Sequence, residues 1–325
     1  MAMGETMASI LVTGGAGFIG SSLTEALLKQ GHPVRVLDNF STGKEENLAF
    51  DKEYPALEII RGDVANLQVC REAVKGVEFV FHLAALPSVQ QSVEDPVASN
   101  RINVEGTLHI LLAARDARVK RVIYASSCAI YGDDPALPKK EGMAPHPLSP
   151  YALQKHIGEQ YCRLFSQLFR LETVSLRYFN VFGPKQDPAS LYSAVIPKFI
   201  DALVKGDSPI VFGDGEQSRD FIFVEDILQA NLLAMSKDHL YGEVVNIGSG
   251  NGLSLNRLLT LLCEILGTEI RALYQEPRPG DVRHSLGDIG KANQLLGYTP
   301  KVEIRAGLEK TIAYFMKRER IGQER

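Results

Sequence analysis

The run Ile10-Leu11-Val12-Thr13-Gly14-Gly15-Ala16-Gly17-Phe18-Ile19-Gly20 sets the fold of this chain. Four strand-forming residues pass directly into a glycine-rich turn, and the turn passes into the helix-forming stretch Leu23 to Lys29. Its glycines are spaced Gly14-x-x-Gly17-x-x-Gly20. Glycine here lets the backbone turn tightly and approach a pyrophosphate, the new helix offers unpaired N–H donors, and the last glycine permits close packing. A glycine triplet alone is a weak sign, since a flexible strand–helix turn explains it too. This one follows a strand, opens a helix, and is answered by Asp38 at the end of the second strand candidate. A carboxylate there accepts hydrogen bonds from the adenosine ribose hydroxyls and repels a 2′-phosphate, so the pattern selects NAD over NADP. Asp63, in Gly62-Asp63-Val64, reads either as an adenine contact or as the cap of the following helix.

Outward from this turn, short apolar runs alternate with helical spacing as far as about residue 180. The strand candidates are Ile10–Val12, Val34–Leu37, Leu57–Ile60, Phe79–Phe81, Val122–Ala125 and Thr173–Leu176. Nearly continuous apolar strands suit a sheet covered on both faces, so the expected fold is α/β, a doubly wound parallel Rossmann sheet. Helical spacing recurs from Val104 through Leu112 and from Ile157 through Leu168. After residue 180, Gly183-Pro184, Pro188, Pro197, Pro209 and Gly213-Asp214-Gly215 break the rhythm into shorter elements. The expected organisation is an NAD-binding domain over 1–180, rejoined by about 218–245, and a smaller C-terminal α/β substrate lobe over 181–217 and 246–325.

Composition sets the outer limits. The chain has 325 residues, 45% hydrophobic and 23% charged, with a net charge of −4, which excludes disordered and fibrous classes and gives no basic surface for nucleic acid. Four scattered cysteines supply neither a disulfide framework nor paired metal-ligand spacing. No stretch reads as a signal peptide or membrane span, so a cytoplasmic location without membrane contact is expected.

Pro150-Tyr151-Ala152-Leu153-Gln154-Lys155 places a tyrosine and a lysine four residues apart at a helix start, on one face. A tyrosine with its ordinary pKa near 10 is a poor base at neutral pH, but a nearby ammonium and a positively charged nicotinamide favour its phenolate. Ser127, 24 residues upstream at the carboxyl end of a strand, stands where open α/β sheets bind ligands. The expected catalytic set is Ser127, Tyr151 and Lys155, with Lys155 also holding the nicotinamide ribose. Alone, Tyr-x-x-x-Lys is equally a solvated helix face.

Taken together, Thr13 to Gly20, Asp38-Asn39, His82-Leu83-Ala84-Ala85, Asn103-Val104-Glu105-Gly106-Thr107, Ser126-Ser127, Tyr131-Gly132, Ser149-Pro150-Tyr151 with Lys155, and Leu176 to Asn180 resemble the extended short-chain dehydrogenase/reductase family over nearly the whole chain. Within it, Arg177 to Gly183, Ser218-Arg219-Asp220-Phe221 and Gly280 to Leu286 look most like UDP-hexose 4-epimerases, especially bacterial enzymes acting on UDP-N-acetylglucosamine and UDP-N-acetylgalactosamine. The resemblance assigns NAD to Gly14, Gly17, Phe18, Ile19 and Gly20, then to Asp38, Asn39, Ser41, Gly43, Asp63 and Val64. It continues with Leu83, Ala84, Ala85, Asn103, Tyr151, Lys155, Tyr178 and Val181. It assigns the UDP-sugar to Ser88, Ser127, Asn180, Ala194, Val195, Phe212, Arg219, Arg278 and Ser285. It also implies a homodimer, paired through the helices carrying Asn103 and Tyr151 as a four-helix bundle, although core packing in a monomer explains their apolar spacing too.

Two departures from relatives within the family narrow the chemistry. Cys128 and Ala129 stand where sugar-nucleotide dehydratases carry an Asp-Glu pair, so the groups that eliminate water are missing. Pro87 stands where many UDP-galactose epimerases carry a lysine beside the cofactor. The implied reaction removes the 4-hydroxyl proton and the C4 hydride, lets the 4-keto sugar turn, and returns the hydride to the opposite face. A one-way dehydrogenase, a UDP-uronic acid 4-epimerase and a non-catalytic nucleotide sensor are the rival readings, the last disfavoured because sensing needs no general base.

Ser285 takes the place of a bulky tyrosine found in epimerases restricted to plain hexoses, leaving room for a 2-acetamido group. In a Ser285→Tyr variant, kcat/KM for UDP-N-acetylglucosamine relative to UDP-glucose should fall at least about tenfold; an unchanged ratio in parallel kinetics would sink this assignment.

Overall fold

The structure is a computed structural model describing residues 7–187, 194–277 and 282–323. Its strands are β1 (Ile10–Thr13), β2 (Val34–Asp38), β3 (Leu57–Arg61), β4 (Phe79–His82), β5 (Arg121–Ser127), β6 (Glu172–Tyr178), β7 (Asn180–Phe182), β8 (Ile210–Phe212), β9 (Ser218–Phe223), β10 (Tyr241–Ile247), β11 (Gly252–Ser254), β12 (Leu273–Gln275) and β13 (His284–Ser285). The helices are α1 (Phe18–Lys29), α2 (Leu67–Ala73), α3 (Val89–Glu94), α4 (Pro96–Asn100), α5 (Gly106–Asp116), α6 (Pro150–Phe169), α7 (Val195–Lys205), α8 (Val224–Ser236), α9 (Leu255–Leu266), α10 (Gly290–Leu296) and α11 (Ile304–Gln323).

Seven strands form one sheet in the order β3-β2-β1-β4-β5-β6-β10, the doubly wound arrangement expected. In-register parallel pairs set Thr13 beside Leu37 and His82, and His82 beside Tyr124. The carboxyl ends of β1, β2, β4 and β5 therefore share one edge. β1 and β4 are buried throughout, whereas β3, at one edge of the sheet, exposes Glu58, Ile59 and Arg61. Leu11, Val80, Ile110, Leu111, Val122, Tyr124 and Phe165 belong to one core cluster, and Ala16, Val36 and Leu48 to another.

Local chemistry places the helix ends. Ser149 caps α6 by accepting from Ala152 N–H at 3.2 Å, Pro150 occupies its first turn, and Arg170 ends it in a left-handed conformation at φ 59°. Ser254 caps α9, and Gly267 at φ 66° ends it. The stretch read as one helix from Val104 begins earlier, with α4 running through a π-helical turn, Arg101–Glu105, into α5.

The chain divides into two compact units. The first comprises 1–130, 149–177 and 228–245; the second comprises 131–148, 178–227 and 246–325. Residues 131–148, assigned from sequence to the cofactor domain, group with the second unit. They are tied there by backbone hydrogen bonds Lys139 N–H to Leu286 O at 2.7 Å and Asp288 N–H to Lys139 O at 2.9 Å. The Asn246 amide adds another bond, donating to Lys139 O at 2.8 Å. β9 also belongs to the second unit, so the return to the first begins at Leu228, not near 218. In the second unit β9 is flanked by β11 and β13 and pairs with β7, while β8 and β12 form a separate parallel pair. No described helix is long and apolar enough to cross a membrane.

Candidate active site

The glycine turn is built by exclusion. Gly14 has φ +70°, and a Cβ on it would lie 2.8 Å from the Ala84 backbone nitrogen. A Cβ on Gly20 would lie 2.1 Å from the Gly14 carbonyl oxygen, so α1 can leave β1 this closely only without one. Gly17 differs: its Cβ would meet only the Gly14 carbonyl, at 3.2 Å. It starts α1 without a side-chain cap, leaving the first N–H groups and the positive helix end open to an anion. Phe18 and Ile19 are the helix's first two residues.

Asp38 ends β2, nearly buried, and its Oδ2 accepts from Ala16 N–H at 2.9 Å while Oδ1 accepts from Phe40 N–H at 2.8 Å. It is thus braced against the glycine turn, and Gly43 packs beside both, since a Cβ there would sit 2.8 Å from Ala16 and 3.0 Å from Asp38 Oδ2. Asn39 donates to Asp63 Oδ2 at 3.1 Å and accepts from Ser41 N–H at 3.0 Å. Asp63 turns its own loop by accepting from Ala65 N–H at 2.8 Å; the cap of α2 is Asn66. An open phosphate cradle, a braced acid at the second strand and an amide–acid pair beside it fit a dinucleotide.

The next loop is held by side chains under it. Thr13 Oγ1 accepts from Ala84 N–H at 3.2 Å and pairs with His82 Nδ1 at 2.8 Å, while His82 Nε2 meets Thr107 Oγ1 at 3.0 Å. Burial pushes His82 down to about 3, so it is neutral. Leu83 N–H bonds the Thr13 carbonyl, and Ala85 follows. Asn103 braces the loop: its amide exchanges bonds with Leu86 N–H and O, at 2.8 and 3.1 Å, and donates to Gln154 Oε1 at 2.8 Å. Ser88 caps α3 through Gln91 N–H at 3.0 Å, and Val64 is core, with its carbonyl facing Cys70 Sγ and His109 Nδ1.

Ser127, Tyr151 and Lys155 do converge. Ser127 ends β5, and its hydroxyl is hydrogen-bonded to the Tyr151 phenol. Tyr151 N–H is held by Ser92 Oγ at 3.0 Å, a bond that locks the start of α6. The Lys155 ammonium donates to Ala125 O at 2.7 Å and lies 5.9 Å from the centre of the Tyr151 ring. Burial pushes the Tyr151 phenol up to about 12, with the Ser127 bond pulling the other way, and pushes Lys155 down to about 8. The sequence reading has the lysine and a positively charged nicotinamide together favouring the phenolate; in the folded chain, burial pushes the phenol the other way.

Sequence reasoning passed over Glu159. It is buried on α6, with Oε1 accepting from Ser126 Oγ at 2.6 Å and Arg177 Nε at 2.8 Å, and Oε2 accepting from Arg177 Nη2 at 2.7 Å. The available signal was its spacing four residues after Lys155, which by itself reads as a solvated helix face.

In the second unit, Asn180 and Val181 open β7, Tyr178 ends β6, Ala194 precedes α7 and Val195 begins it. Arg219 lies on β9 directly across from Ser285 on β13, and its guanidinium donates to Ser218 O at 2.9 Å. Buried Asp220 fixes this arrangement, accepting from Ser249 N–H at 2.7 Å and from Gly250 and Gly287 N–H, both at 3.1 Å. Phe212 lines a cavity of about 480 Å³ with Gly213, Gln217, Gln275, Pro277 and Arg283. The Arg283 guanidinium grips Asp214 at 2.7 and 2.8 Å and pulls that carboxyl down to about 2. Gln217, Asp214 and Arg283 were not singled out from sequence, and Arg278 lies outside the described residues.

Comparison with known proteins agrees with this geometry. The NAD dependent epimerase/dehydratase family matches residues 10–248. A putative UDP-glucose 4-epimerase of Methanocaldococcus jannaschii is 39% identical over 313 residues, covering 96% of this chain and 99% of that protein. The structure of a UDP-N-acetylglucosamine 4-epimerase from Methanobrevibacter ruminantium, in complex with UDP-N-acetylmuramic acid, superposes with a TM-score of 0.92 at 40% identity, covering 97% of this chain and 100% of that one. A Thermotoga maritima UDP-glucose 4-epimerase with UDP-glucose gives 0.91 at 40% identity, with 96% and 99% coverage.

The two outer glycines and the middle one should therefore fail differently. Gly20→Ala should lower the melting temperature by several degrees, because its Cβ collides with backbone. Gly17→Ala should melt near wild type yet bind NAD at least about tenfold more weakly by calorimetry; equal NAD affinity would remove the phosphate role of this turn.

Proposed function

The chain belongs to the NAD dependent epimerase/dehydratase family, and from that premise we propose that it inverts C4 of a UDP-hexose. UDP-N-acetylglucosamine and UDP-N-acetylgalactosamine form the preferred pair, with UDP-glucose and UDP-galactose as further substrates. The observation that carries the reading is the convergence of half-buried Ser127, at the end of β5, with buried Tyr151 and Lys155 from the start of α6, Ser127 being followed by Cys128 and Ala129 rather than by acids.

NAD, when bound, supplies the hydride acceptor for C4 and the positive charge that the buried phenol lacks. Tyr151, as phenolate, takes the proton of the sugar 4-hydroxyl and returns it to the inverted alkoxide, so the residue ends each cycle as it began. Ser127 donates a hydrogen bond to the reacting oxygen, and Lys155 holds the nicotinamide ribose. The keto sugar must turn between the two transfers, so binding energy belongs on the nucleotide and not on the hexose. Asn180, Arg219 and Arg278 take the diphosphate, a charge that suits guanidinium forks. Phe212, Ala194 and Val195 take the nucleoside side, and Ser285 leaves the 2-position of the sugar open.

The same reading includes a homodimer in the cytoplasm. On α6, Leu153, Leu164 and Leu168 are exposed in line with half-buried Ile157 and Tyr161; Val93 on α3 and Val97 on α4 are exposed as well. Such a stripe is costly in water and suits a four-helix bundle between two copies of α4–α5 and α6. The four cysteines carry thiols rather than disulfides, in keeping with a reducing compartment.

Tyr151→Phe should keep the wild-type melting temperature while turnover falls at least about a hundredfold, measured as chromatographic conversion of UDP-N-acetylglucosamine; near-normal conversion would end the assignment. Light scattering should give a dimer mass for the wild type and a monomer mass for Leu164→Asp/Leu168→Asp. An unchanged mass would move the interface elsewhere.

A further inference from the structure

We infer that the buried pair Glu159–Arg177 is the positioning element behind the catalytic residues, locking the end of β5 that presents Ser127 and supplying the counter-charge beside Lys155. This deepens the epimerase reading and rests on it.

The geometry is a clamp. Lys155 and Glu159 stand one helical turn apart on α6 and reach consecutive residues of β5, the lysine bonding Ala125 O at 2.7 Å and the carboxylate accepting from Ser126 Oγ at 2.6 Å. Ser127 comes next. The carboxylate is held in turn by Arg177 of β6, through Nε at 2.8 Å and Nη2 at 2.7 Å, and β6 is the strand beside β5. One carboxylate therefore joins the catalytic helix to two strands. Glu159 and Arg177 are 1% and 3% exposed; a surface pair would be worth little, whereas here three donors confine the carboxylate to one position.

Charge supplies the second argument. Around the Lys155 ammonium stand His82 of β4 and Tyr124 of β5, and on its own helix Tyr151, Glu159 and Cys162. His82 is neutral, and burial pushes Tyr124 and Cys162 up, so both keep their protons at neutral pH. For Glu159, burial pushes upward, but the hydrogen bonds from Arg177 and Ser126, with His156 Nδ1 3.6 Å away, prevail and hold it ionised. Glu159 is the anion in this set, opposing the desolvation that pulls Lys155 toward the neutral amine. It does not reach the substrate; it acts through Ser126 and Lys155.

The test compares Glu159→Gln, the charge-free pair Glu159→Leu/Arg177→Met, and Ser126→Ala with the wild type. The readouts are kcat and KM against pH for UDP-N-acetylglucosamine, and the Lys155 titration followed directly by NMR of isotope-labelled lysine. Removing both charges together avoids stranding a buried guanidinium, so the double variant should fold. Both Glu159 variants should lose about ten- to a hundredfold in kcat with KM within about twofold. Their alkaline limb should move to lower pH, because Lys155 loses its proton sooner. Ser126→Ala should lose kcat but keep the wild-type alkaline limb, since the carboxylate remains. A folded double variant with an unmoved Lys155 titration and an unmoved alkaline limb would overturn the charge role, and wild-type kcat in Ser126→Ala would overturn the clamp. The wild-type control separates the two levels: lack of epimerisation there fails the functional reading, while the NMR titration still decides the pair.

Discussion

The approach of α1 to β1 is the constraint on which the cofactor unit depends. The Gly20 Cα sits so near the Gly14 carbonyl that a single methyl group would occupy the same space. Because the helix starts there, its open N-terminus faces the edge where β2, β4 and β5 also end. Thr13, one residue before the turn, then organises the neighbouring loop by accepting from Ala84 N–H and pairing with His82. The glycine turn, Asp38 and the His82 loop thus share one backbone framework, and a displacement of β1 would disturb all three.

Desolvation is the second governing effect, and it works against the charged forms of Tyr151 and Lys155. Burial raises the Tyr151 phenol to about 12 and lowers Lys155 to about 8, which disfavours both charged forms that proton transfer uses. The folded chain offsets this with groups whose charge cannot be lost cheaply: stranding one partner of a buried ion pair such as Glu159–Arg177 costs about 3–5 kcal/mol.

Parts of the site were legible because their spacing along the chain is itself the structure. Gly14, Gly17 and Gly20 fall in one turn, and Tyr151 and Lys155 in one helical turn, so local geometry carries them. Asp38 was legible from its position at a strand end. The partners of Asn103 were not, because nothing local shows that its amide bonds the Leu86 backbone. Glu159 was not legible either, as a glutamate four residues from a lysine reads as surface until Ser126 and Arg177 are brought against it. The boundary near residue 131 was invisible for the same reason: Lys139 joins residues 286–288 across about 150 positions of sequence.

By itself the sequence determined the layered parallel sheet, the dinucleotide turn with its acid, and the Ser127–Tyr151–Lys155 set, since each depends on periodicity or on contacts within one or two turns. Only the tertiary structure decided which protein partners the candidate polar groups have. Asn103, Ser88 and Asp63 each brace a loop or a helix start, Asp220 fixes the strand carrying Arg219, and Glu159 is drawn beneath Ser126 and beside Arg177. Hydrogen bonding between distant segments saturates some side chains and orients others. That competition is settled by which segments become neighbours, a property of the fold and not of any local stretch of chain.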